Sequence, residues 1–93
     1  MRFEWDANKE LANFLKHGVS FAEAMEVFYD PNAIERYDNL HSANETRFSI
    51  IGLSSRRLLQ VAYTERGTNT VRLISARKAN KGERVLYERR IVQ

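Results

Sequence analysis

The sequence predicts an α+β protein in which two N-terminal helices pack on an antiparallel sheet meander and a third helix closes the chain. Three observations carry this expectation. Two capped helix patterns fill the first 30 residues, three strand patterns between Arg47 and Arg77 are separated by gaps of four residues, and a further capping signal opens the final basic stretch. Gaps this short exclude crossover connections, which need a dozen or more residues, so neighbouring strands must run antiparallel.

Taken in order, Phe3 and Trp5 flank Glu4 in the alternation of a short first strand, and Asp6 offers an oxygen to the first free amides of a helix. Leu11, Phe14 and Leu15 fall at i, i+3 and i+4, one apolar stripe, and Lys16 and His17 occupy the last turn before Gly18, where a left-handed C′ residue ends the helix. Ser20 and Glu23 match the reciprocal capping box, and Phe21, Ala24, Met25 and Phe28 form the next stripe before Asp30-Pro31 stops it. Ala33 to Tyr37 alternates briefly as a short strand, followed by a polar loop from Asp38 to Glu45. Strands are expected over Arg47 to Leu53, Leu58 to Arg66 and Val71 to Arg77, with Gly67-Thr68-Asn69 as a turn. Asn80, with Glu83 three residues on, caps a last helix carrying Val85, Leu86 and Tyr87, and Gly82 weakens its first turn.

Pairing Leu53 with Leu58 and Tyr63 with Ile74 sorts the meander into two faces. One collects Phe48, Ile50, Leu59, Val61, Tyr63, Ile74 and Ala76, a core that the N-terminal helices can cover. The other collects Arg47, Ser49, Gln60, Ala62, Thr64, Arg66, Ser75 and Arg77, with Ile51, Leu53, Leu58 and Leu73 among them. Such a floor rimmed by guanidinium groups suits phosphodiesters, because arginine donates in a planar fork and keeps its charge. The same arginines are equally explained as solvated surface.

Charge is divided unevenly along the chain. A formal net charge of +3 conceals a net −5 up to Thr46 and +8 from Arg47 onward, a dipolar molecule whose C-terminal half suits nucleic acid. Length sets one domain over residues 1–93. With no cysteine, and with His17 and His41 standing 24 positions apart, neither a disulfide framework nor a zinc site is expected. No apolar run approaches the ~18 residues that span a bilayer, and no signal peptide is visible, so a cytoplasmic protein without a membrane partner is expected. Walker, nucleophile-elbow and zinc signatures are missing from the sequence.

Cutting RNA without a metal needs a base for the 2′-hydroxyl proton, cations for the charge that develops at phosphorus, and a donor for the leaving oxygen. Cations are plentiful here. His17 is either a proton carrier or a helix cap favoured by the macrodipole, and His41 lies in the polar loop near Glu45. Tyr63 and Tyr87 read as packing residues that could instead stack on bases. In the last helix, Arg84, Arg89 and Arg90 either meet phosphates or form a solvated face with Glu83 and Glu88.

Several ordered blocks resemble the BrnT toxins, small ribonuclease toxins of bacterial type II toxin–antitoxin systems with a RelE-like fold. They are Phe3-Glu4-Trp5-Asp6 with Lys9 and Asn13, Lys16-His17-Gly18-Val19, Ser20-Phe21, Glu23-Ala24 and Asp30-Pro31. Glu45-x-Arg47-Phe48, Ile51 to Ser54, Tyr63 to Arg66, Arg72 to Ala79 and Glu83-Arg84 before Tyr87 continue the match. The resemblance implies an endoribonuclease that slows translation and is neutralised by a BrnA antitoxin with a ribbon-helix-helix domain, the complex acting on operator DNA through the antitoxin. It implies no cofactor. Arg77 is then the first choice for stabilising the transition state, with Arg47 and Arg66 holding phosphates and His17 and Glu45 as further catalytic candidates. Lys9, Gln60, Lys78 and Arg84 are the expected RNA contacts. Arg77 lies five or six residues along the strands from Arg47 and Arg66, roughly 15–20 Å at ~3.3 Å per residue, so the three cannot share one phosphate. The alternative is a module that binds an antitoxin or nucleic acid through the same face without catalysis.

Overall fold

The computed structural model describes residues 1–39 and 45–92; of the predicted polar loop, residues 40–44, His41 among them, lie outside the described residues. The elements are β1 (Arg2–Glu4), α1 (Ala7–His17), α2 (Phe21–Glu26) running into a 3₁₀ turn (Val27–Tyr29), β2 (Ile34–Tyr37), β3 (Arg47–Leu53), β4 (Leu58–Arg66), β5 (Thr70–Lys78) and α3 (Lys81–Ile91). Among the described residues the strands form one sheet in the order β1-β5-β4-β3-β2. The meander β3-β4-β5 and β2 pair antiparallel, whereas β1 joins β5 in parallel.

The caps act where the sequence places them. Asp6 accepts the N–H groups of Asn8 and Lys9, and Gly18 closes α1 at φ 70°. Ser20 accepts the Glu23 N–H, and Asn80 and Glu83 complete a reciprocal capping box at α3.

Two expectations about packing are corrected. The pairing of Leu53 with Leu58 holds, but Tyr63 lies opposite Leu73, because a bulge between Ala62 and Tyr63 leaves Ile74 as an extra residue on β5. One extra residue reverses the alternation beyond it. Leu73 and Val71 therefore enter the core with Val61, Tyr63 and Ala76, and Arg72 takes the place expected for Leu73 on the other face.

The second correction concerns α1. Leu11, Phe14 and Leu15, expected to cover the sheet, are 60%, 50% and 77% exposed. The reason lies at the edge of β5. Because β1 pairs only with Thr70, Val71 and Arg72, the rest of that edge needs partners for its backbone groups. Buried Asn13 supplies them at Ala76: Nδ2 donates to Ala76 O at 2.9 Å and Oδ1 accepts the Ala76 N–H at 3.0 Å, while Nδ2 also donates to Val19 O at 3.1 Å. At 3.6 residues per turn, turning Asn13 inward sends positions 11 and 15 about 160–200° away, to solvent.

α2 and the 3₁₀ turn cover the core face, with Phe21, Ala24 and Val27 fully buried. Gly52 lets that turn approach, since a Cβ there would sit 2.9 Å from Val27 Cγ1 and 3.0 Å from Ala33 Cβ. On the opposite face α3 buries Tyr87 against Ile51 and Leu58, with Ile34 and Ala79 beside them. Tyr87 also donates to Asp30 Oδ2 at 2.5 Å, and the same oxygen accepts the Leu53 N–H at 2.8 Å. Part of the face expected to be an open arginine floor is thus a second small core, and both tyrosines weighed as base stackers are packing residues.

Asn13→Leu keeps the volume but leaves the Ala76 N–H and C=O without partners, which should cost about 2–4 kcal/mol, while Leu15→Gln should change stability by less than about 0.5 kcal/mol. Urea midpoints of the two variants check this; equal midpoints would show that the edge joint contributes nothing.

Candidate active site

What α3 leaves uncovered is a cleft of about 400 Å³ lined by Arg36, Tyr37, Asp38, Ser49, Gln60, Arg77 and Glu83. Strand register builds it. Arg36 faces Ser49, Ser49 faces Ala62 and Ala62 faces Ser75 in one row, and Ile34, Ile51, Gln60 and Arg77 align in the next. Residues two apart on a strand share a face, so both rows open on the same side.

The cleft is organised by one carboxylate. Glu83 is buried in the first turn of α3. Its Oε1 accepts the Asn80 N–H at 2.9 Å and Arg77 Nη1 at 2.8 Å; its Oε2 accepts Arg77 Nη2 at 2.9 Å and lies 3.8 Å from Arg36 Nη2. Burial alone would raise the carboxyl's pKa, but the hydrogen bonds from Arg77 and Asn80 and the charges of Arg77 and Arg36 hold it below the usual glutamate value. Arg77 is raised in turn by its bond to Glu83, against its own desolvation.

The bonding pattern of Arg77 decides what it has left to offer. Nη1 donates to Glu83 and to Lys78 O, and Nη2 to Glu83. A guanidinium carries five N–H donors. The two unused by these bonds are Nε–H and the second hydrogen of Nη2, which lie side by side and make a fork for two oxygens of one phosphate.

The remaining predicted residues disperse over the surface. Gln60 lines the same cleft beside Arg77. Arg47 lies opposite Thr64, as the pairing of Leu53 with Leu58 requires, four residues from Gln60 along β4 and so roughly 13 Å away rather than the five or six residues expected, and Glu45 lies 3.5 Å from its Nε. Arg66 is six residues from Gln60, roughly 20 Å, and shares a shallow depression with Glu45, Thr46, Phe48, Thr64 and Glu65. Lys9 and His17 line a groove with Lys16 between α1 and the β5 edge, at Ile74 and Ser75. That groove adjoins the cleft, since Ser75 and Arg77 are two residues apart on β5. Lys78 and Arg84 are exposed at the end of β5 and on α3.

Residues 5–83 match the family model described as "Ribonuclease toxin, BrnT, of type II toxin-antitoxin system". The chain belongs to the BrnT family. Its fold is similar to the 1.1 Å crystal structure of the Brucella abortus ribonuclease toxin BrnT, with a TM-score of 0.66 and 26% identity over 87% of this chain and 99% of that one. No curated protein matches the sequence. The resemblance drawn from the residue blocks is thereby borne out, and membership makes the chain a ribonuclease toxin of a type II system, with an antitoxin as its implied partner. Among the described residues no helix of this BrnT-family chain is long and apolar enough to cross a membrane.

Sequence reasoning missed Arg36, Tyr37 and Asp38, because β2 alternates too briefly to announce a face. It found Glu83 only as a cap and as a charge partner for the arginines of the last helix. The available signal was position: a capping glutamate in the first turn after a strand that ends in Arg77 must lie near that arginine.

Glu83, Glu23 and Asp30 all titrate below their ordinary values, Glu23 through Arg57 and Ser54, and Asp30 through Tyr87 and the Leu53 and Asn32 amides, against its burial. Each binds its proton more tightly when unfolded, so the stabilisation is complete above the ordinary carboxylate range and is lost as pH falls through it. Thermal melts between pH 6 and pH 3 should show a falling Tm, and Glu83→Gln should reduce that slope; an unchanged slope would mean that the Arg77 pair does not contribute to it.

Proposed function

We propose that this chain is a metal-independent endoribonuclease with a RelE-like single domain, acting in the cytoplasm to slow translation. A BrnA-type ribbon-helix-helix antitoxin silences it, and the complex reaches operator DNA through the antitoxin. The observation that carries the catalytic part is the unused fork of Arg77 in an open cleft, held in place by a buried carboxylate. In cleavage by the 2′-oxygen, that oxygen attacks phosphorus while the bond to the 5′-oxygen breaks, and negative charge grows on the two non-bridging oxygens. Arg77 is the group matched to those oxygens.

Arg47 and Arg66 then hold phosphates further along the strands, and Lys9, Gln60, Lys78 and Arg84 contact the RNA. His17, in the groove that adjoins the cleft, and Glu45, at the Arg47 end, are the proposed proton carriers. Their position outside the cleft is also the observation that favours the second reading, a module that binds RNA or antitoxin on this face without cutting.

Purified protein incubated with a long single-stranded RNA should cleave it equally with and without EDTA, and Arg77→Ala should lose about 100-fold or more of the rate. Because that variant leaves Glu83 without its main partner, Arg77→Lys, which keeps the charge but not the fork, is the companion; it should fold and still lose most of the activity. Full cleavage by either variant would remove Arg77 from catalysis, and cleavage abolished by EDTA would remove metal independence.

A further inference from the structure

We infer that the Arg36–Tyr37 end of the cleft is a nucleotide subsite, in which Tyr37 stacks on one base of a single-stranded RNA and Arg36 takes the phosphate next to it. The inference rests on the ribonuclease reading for the identity of the ligand, but neither residue is needed to explain the chemistry assigned to Arg77.

Three observations meet here. Tyr37 is 57% exposed although it is a large aromatic residue, and it borders the cleft. Tyr37 pairs with Phe48, so its ring lies on the core-face side at the end of an edge strand, at the margin of the sheet next to Arg36, which faces the cleft. The ring is also fixed from below. It meets Phe48 in a T-shaped contact at 6.1 Å; Phe48 stacks on Tyr63 at 5.5 Å, and Phe28 meets Tyr63 edge-on at 5.0 Å. Tyr63 in turn donates to Glu35, the residue between Ile34 and Arg36 on the same edge strand. A stacking surface anchored in this way loses little freedom when a base covers it.

Arg36 supplies the charge. It pairs with Ser49 on the neighbouring strand, its side chain remains 44% exposed, and Glu83 at 3.8 Å is its ion-pair partner rather than a close hydrogen-bond partner. Since its contact with Glu83 is a 3.8 Å ion pair and not a close hydrogen bond, Arg36 keeps most of its donors for a ligand. Bases present a π-face whatever their identity, so this subsite selects single-stranded over duplex RNA, where the face is covered.

The test uses the intact protein and a fluorescein-labelled RNA oligonucleotide with 2′-O-methyl groups, which binds but offers no attacking 2′-hydroxyl. Tyr37→Ala should weaken binding about tenfold or more, Tyr37→Phe should restore it, and Tyr29→Ala, the other strongly exposed tyrosine, serves as the control. For Arg36→Ala, the slope of log Kd against log salt should fall by about 0.7, one phosphate contact on a single strand. On cleavable RNA the Tyr37→Ala loss should appear in KM. Unchanged affinity in Tyr37→Ala, or equal loss in Tyr37→Phe, overturns the stacking role, and an unchanged salt slope overturns the role of Arg36. Tyr37- and Arg36-dependent binding by a protein that cuts nothing would uphold the subsite and overturn the ribonuclease reading; cleavage that ignores both residues would do the reverse.

Discussion

One buried carboxylate ties together the parts of this molecule that matter for its chemistry. Glu83 completes the cap of α3, engages the end-on fork of Arg77 and attracts Arg36, so a helix terminus, the end of β5 and the edge strand β2 meet on two oxygens. A buried charge is costly unless it is paired and hydrogen-bonded, and here it is both. The carboxylate takes two of the five Arg77 donors, Lys78 O takes a third, and the remaining two are fixed in direction. An arginine free in solvent would sample many rotamers before meeting a phosphate; one clamped from behind presents the same two N–H groups throughout.

Around that centre, the faces of the sheet have unequal tasks. The core face is closed by α2 and the 3₁₀ turn, made possible by the bare backbone of Gly52. The other is shared between a small apolar patch under Tyr87 and the polar cleft. Tyr87 joins the two sides, since its hydroxyl ends on Asp30, which also receives the amide of Leu53. The docking of α3 therefore rests on two side chains one turn apart, Glu83 and Tyr87. This agrees with the otherwise weak patterning of the helix, whose Val85 and Leu86 remain partly exposed.

Local structure was legible in the sequence wherever a single residue type has a strong local preference. Asp6, Gly18, Ser20 with Glu23 and Asn80 with Glu83 marked the helix ends, and the short gaps dictated the meander. What failed was what depends on contacts distant in sequence. The bulge at Ala62 and Tyr63 moved Leu73 into the core and Arg72 out of it, and nothing in the alternation of β5 announces an extra residue. The stripe of Leu11, Phe14 and Leu15 is a valid helix pattern, yet the demand of an unpaired edge 63 residues away outweighed its burial. For the site, Arg77 and Gln60 were found from the face they share. Arg36 and Tyr37 were missed because four residues of β2 carry too little pattern to show which way they point.

Asn13 has one more consequence. A strand at the margin of a sheet ordinarily displays a row of amides and carbonyls that a second molecule can zip onto, the first step toward fibrils. At Ala76 that row ends in a carboxamide, which satisfies the backbone there while offering no continuing chain of its own. At Ala76 the edge is thus closed to a second copy by one side chain, without the length of polypeptide a covering strand would need.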